Sequence, residues 1–157
     1  MAVTVILGIV GAIAVPNVLG QLNKSRINDG VAKIEGAIRE AKRQAISRRQ
    51  SCTIEIGEVG GVVTIQNDVG NCLLETRELD AGINVANNTG NATLAIQFSG
   101  KGNIGNTANY NPPNTGNWTL IVSHDNINSP KCLRIEGLFS DVQTGVAQGT
   151  VCNTTLN

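Results

Sequence analysis

The chain has 157 residues, with twelve basic and twelve acidic side chains and a formal net charge of zero. Neutrality argues against a protein that coats polyanions, and a single histidine, His124, excludes a multi-histidine metal site. With charged residues at 15% and aromatics at 3%, the composition fits a protein that assembles or binds better than an enzyme.

The averages hide three unlike regions. Residues 1–23 carry no charge, 24–49 carry eight basic and three acidic residues, and 50–157 carry four basic and nine acidic. The first region, AVTVILGIVGAIAVPNVL from Ala2 and charge-free on through Asn23, would span roughly 34 Å as a helix at about 1.5 Å per residue. A bilayer core needs about 20 such residues. A secretory signal peptide would want a positive n-region, a shorter apolar core and a small-residue cleavage site. This run instead flows without a polar break into an amphipathic pattern, so a retained anchor helix is expected. Pro16 removes one backbone donor and should kink or locally open that helix. Gly8, Gly11 and Ala12 favour close helix contact in lipid or in a packed filament, and Ile13 belongs to the same apolar surface.

Ile27, Val31, Ile34, Ile38, Ala41 and Ala45 recur at spacings of four and three, one apolar stripe on a helix ending near Arg49. Basic residues mostly occupy the other faces. They read as a solvated surface, with anionic headgroups or acidic neighbours as the alternative partner. No aromatic residues interleave with the charges, so nucleic acid is not expected to bind there.

Beyond Gln50 the pattern turns to β. Cys52–Ile56 and Val62–Gln66 flank a Gly-rich hairpin loop. Cys72–Leu74, Ile83–Val85, Thr93–Phe98, Trp118–Ser123 and Cys132–Glu136 are further expected strands, with Phe98 and Trp118 as core residues. Residues 103–116 and 137–149 read as loops. Cys52 and Cys72 are twenty positions apart, as are Cys132 and Cys152. Local pairing is the preferred connectivity of the three possible, with free thiols and a zinc site as alternatives, and zinc has little support without a CxxC pair. Disulfides imply an oxidising compartment. No GxSxG elbow, P-loop or dinucleotide fingerprint occurs. Asp125, Glu136 and Asp141 lack calcium-loop spacing and read as solvated charges.

AVTVILGIVGAIAVPN, through Gly8, Ala12, Ala14, Val15, Pro16 and Asn17, resembles the N-terminal helix of type IV pilins and type II secretion pseudopilins. IREAKRQAISRRQSCTIEI, LAIQFSGKGNI with Phe98 and Gly102, and NWTLIVS followed by CLRIEGLFSDV resemble the GspH/FimT type of minor pilins and pseudopilins. The resemblance implies an α+β, pilin-like fold: a long kinked N-terminal helix packed on a small antiparallel β domain. Residues 1–23 would be the transmembrane or filament-core half of the helix, 24–50 its amphipathic half, and 51–157 the globular domain. Gly8, Gly11, Ala12, Ile13 and Pro16 would serve the membrane and the filament. Ile27, Val31, Ile34, Ile38 and Ala41 would fix the helix to the sheet.

The function implied is that of a structural, minor subunit of a type IV pilus. It would sit in the bacterial inner membrane, single-pass with an exoplasmic domain, before assembly, and in the pilus or pseudopilus afterwards. A type II secretion pseudopilin is the alternative, and a DNA-binding uptake pilin the third reading. Other subunits and membrane lipid are the partners implied, with no catalysis and no cofactor. The family's basic leader, methylated first residue and early glutamate have no counterpart here. Met1 aligns just after the glutamate's place, so the expected natural start lies upstream, with a leader for prepilin peptidase. Where DNA-uptake members carry arginines after the last glycine turn, Gly137 is followed by Leu138, Phe139, Ser140 and Asp141. No DNA-binding residue is therefore carried over.

Overall fold

The structure is a computed structural model describing residues 2–88, 92–104, 118–136 and 141–155, with side chains from residue 19 onward. One helix, α1 (Ala2–Arg48), precedes nine strands: β1 (Cys52–Val59), β2 (Val62–Val69), β3 (Arg77–Glu78), β4 (Ile83–Asn87), β5 (Leu94–Phe98), β6 (Trp118–His124), β7 (Ile127–Glu136), β8 (Asp141–Gln148) and β9 (Val151–Asn153). They form a four-stranded sheet in the order β3-β2-β1-β5 and a five-stranded sheet in the order β4-β6-β7-β8-β9. Every pairing is antiparallel. The architecture is α+β, with the helix laid on both sheets.

Period-two alternation explains the layering. Ile54 and Ile56 of β1, Val63 and Ile65 of β2, and Leu94, Ile96 and Phe98 of β5 turn inward, and all are buried. The second sheet contributes Trp118, Leu120, Val122, Leu133 and Ile135 to the same core. The helix meets this surface chiefly through β7 and β6, with β1, β4 and β5 at the flanks.

Regular pairing is broken at two places. Val122 pairs with Lys131 but His124 pairs with Ile127, so β7 carries extra residues opposite Ser123. Pro130, which has no N–H to donate, lies in that irregular stretch. On the other sheet Thr53 pairs with Val69 but Ile54 with Asn67, leaving Asp68 as a bulge.

The strand expectations need four corrections. Residues 141–148, read as a loop, form β8: a Gly and several polar residues mask a strand that pairing with β7 stabilises. Cys72–Leu74 is not a strand. The Leu73 amide donates to the Asn67 side chain at 2.8 Å and the Leu74 amide to Glu40 at 3.0 Å, which takes those donors out of any ladder. The two short strands β3 and β9 carry too little pattern to be read in advance. β7 begins five residues before the expected Cys132, because the stretch from Ile127 is polar and interrupted by Pro130. The expected loop 103–116 lies mostly outside the described residues.

Bridges join Cys52 to Cys72 and Cys132 to Cys152, each with its Cα atoms 5.6 Å apart. The second bridge reveals the shape of the sheet. In a flat sheet β7 and β9, on either side of β8, would stand about 9.6 Å apart. The shorter distance means that β9 curls back over the face turned away from the helix. There Cys132, Ala147 and Cys152 pack with Ile121 as a small second core. Gly145 permits the curl, since a Cβ at that position would sit 2.2 Å from the Asn153 carbonyl oxygen.

Candidate functional site

The helix is the element on which the candidate site rests. Ile27, Val31, Ile34, Ile38 and Ala41 are buried at 8% exposure or less, with Ala37 and Ala45 beside them. The spacing of four and three puts them on one face, and that face covers both sheets. Leu19 and Leu22, on the same helix, are 56% and 52% exposed. Gly8, Gly11, Ala12, Ile13 and Pro16 fall within α1, and their side chains lie outside the described residues. Among the described residues no helix is long and apolar enough to cross a membrane.

The C-terminal end of α1 is locked to the sheet. Arg49 adopts a φ of 52°. The Gln50 amide donates to the Ala45 carbonyl and the Arg49 amide to that of Ile46, each at 3.2 Å, a Schellman-type closure. The turn after β5, Ser99 to Asn103, packs directly on this cap. A Cβ on Gly100 would lie 2.6 Å from the Arg49 carbonyl carbon. Gly102 sits at a φ of 79° over Ile46. The Phe98-to-Gly102 motif thus has a local physical role: Phe98 is fully buried and the glycines let the turn touch the helix end.

A polar clamp, unforeseen from the sequence, holds the flank of the helix. Glu40, 7% exposed, accepts from the Arg77 guanidinium and from the Leu74 amide. Arg77 also donates to the Lys33 carbonyl at 3.3 Å. Lys33 bonds Asp80 at 3.0 Å and the Glu78 carbonyl at 3.1 Å. Arg48 reaches the Asn71 carbonyl at 2.8 Å. Together with the Cys52–Cys72 bridge, these contacts tie the segment 70–80 to α1. The only advance signal was an acidic residue, Glu40, beside the apolar stripe.

The residues considered for chemistry are not assembled for it. His124 is buried and its Nδ1 accepts the Asn126 amide at 3.2 Å, while the Asp125 carboxylate accepts from Asn84 at 2.5 Å. Carboxylate and imidazole therefore have separate partners. Glu136 and Asp141 face each other across β7 and β8, with Arg134 paired to Glu136, and Asp125 sits at the opposite end of β6. Among the described residues no group of three His, Cys, Asp or Glu is placed to hold a metal. A cleft between the sheets, lined by Ile56, Val63, Asn84 and Leu120 among others, measures about 80 Å³. That volume suits a few waters; cofactor-sized ligands occupy pockets of about 300 Å³ or more. A shallow groove on the helix is lined by Arg39, Lys42, Arg43, Ile46 and Ser47.

No protein-family model, curated protein or solved structure matches this chain.

Proposed function

We propose that the chain is a structural, minor subunit of a type IV pilus, held in the bacterial inner membrane by residues 1–23 and built into the filament through the same helix. One observation carries this reading. Along a single helix, burial among the described residues begins at Ile27, while Leu19 and Leu22 remain open. The later half is fixed to its own domain, and the earlier part continues into an uncharged sequence that needs an apolar surrounding on every side. Lipid supplies that surrounding before assembly and neighbouring helices supply it afterwards. The two bridges fit an exoplasmic, oxidising location for the β domain. The partners are other pilin or pseudopilin subunits and membrane lipid, with prepilin peptidase acting if the natural start carries a leader. No cofactor or catalytic step enters this reading.

A secretion pseudopilin would use the same physics in another machine. Deleting the gene and scoring both surface filaments and protein secretion separates them: loss of filaments with secretion intact supports the pilus. Carbonate extraction of the chain expressed from its natural start should leave it in the membrane fraction. Complete recovery in the soluble fraction would sink the anchor.

A further inference from the structure

We infer that the clamped segment 70–78 is a docking knob for the protruding helix of a second copy of this chain, with Leu74 seated against Leu19 and Leu22. This rests on the subunit reading above and names the partner surface.

Leu74 is 78% exposed, the most open large hydrophobic residue among those described. An open leucine on a loose loop would mean little, but this one is held on all sides. Its own amide is bonded to Glu40, and Leu73 is bonded through both N–H and C=O to the Asn67 side chain. Cys72 is bridged to Cys52, and the Asn71 carbonyl is held by Arg48. The ordering cost of presenting Leu74 is therefore met within the fold, which is the condition for a good anchor.

The chain offers a matching surface elsewhere on itself. Leu19, Leu22 and Arg26 follow the spacing of three and four that places residues on one helix face, and all three are exposed. Each leucine surface has a charge neighbour of opposite sign: Arg26 beside Leu22, and Glu75 beside Leu74, both exposed. A second copy whose protruding helix lies alongside the knob, turned so that Leu19 and Leu22 face Leu74, brings its Arg26 towards Glu75. The contact joins different surfaces on the two copies, a heterologous interface of the kind that repeats along a filament when the rotation between copies does not close a ring.

A photo-crosslinking residue in place of Leu74, in full chain carried in detergent and mixed from two isotopic labels, tests this. Mixed-label adducts mapping to residues 19–26 are expected. Adducts between copies that map elsewhere would overturn the knob while leaving the subunit reading standing. Failure of the copies to associate at any concentration would overturn both. Leu74→Asp should weaken association more than tenfold with an unchanged melting temperature. Arg26→Glu and Glu75→Lys should each weaken association about threefold, and the double variant should restore it. A double variant as weak as the sum of the two would overturn the charge register.

Discussion

At the scale of single residues, one tight constraint is Gly100. Its missing Cβ lets the turn after β5 lie on the helix cap, and the atoms it would strike belong to backbone, which cannot rotate aside. Gly100→Ala should cost about 1–3 kcal/mol, read from chemical denaturation. Gly20→Ala, in the same helix with nothing within 4 Å, should be neutral or stabilising. The Glu40–Arg77 pair is the second constraint. Glu40 is nearly enclosed and serves two donors, so replacing Arg77 with Met leaves a buried carboxylate short of its cation. A loss of about 3 kcal/mol is expected. Replacing both members with apolar residues should recover part of it, and a double-mutant cycle measures the difference. The pair is an ion pair across a sequence separation of thirty-seven, and no local pattern announces it.

At the scale of elements, α1 was legible because its stripe repeats at the helical period over many turns. β1, β2, β5 and β6 were legible because β-branched residues alternate there. β8 was not, because Gly145 and Ala147 face a disulfide rather than the main core, and small residues there leave no apolar alternation. β9 has three residues and three pairings with β8, and its hold on the sheet depends on the Cys132–Cys152 bridge. Replacing both cysteines with serine should destabilise the domain by about 3 kcal/mol, the loop-closure value for a ring of this size. Amide exchange should rise first in β9 and the end of β8. Protection unchanged at Val151 to Asn153 would mean that the hairpin holds itself.

At the scale of the whole molecule, the proposed subunit reading has one helix serve two regimes. Ile34 is fully enclosed in the core, so Ile34→Arg should lower stability by several kcal/mol through burial of an unpaired charge or local unfolding. Ile13→Arg places the same charge in the uncharged run. It should leave the β domain melting as the parent does, while, on the proposed reading, the chain leaves the membrane or fails to enter filaments. Thermal melts and incorporation assays on the two variants separate folding from assembly. An Ile34→Arg variant that melts like its parent would contradict the core position of the stripe.

The sequence alone determined what periodicity and composition encode: the charge-free start, the amphipathic stripe, the β-rich remainder and the pairs of cysteines close enough along the chain to bridge. These are local signals, since hydrophobic burial follows spacing that can be counted. Only the tertiary structure decided the rest: two sheets sharing one core, β9 curling over β7, the glycine contact at the helix cap, and the Glu40–Arg77 clamp that holds Leu74 out in solvent. Each of these depends on atoms brought together from distant positions. Close approach and charge pairing act through space over a few ångströms, and the order of residues along the chain does not record which distant pairs meet.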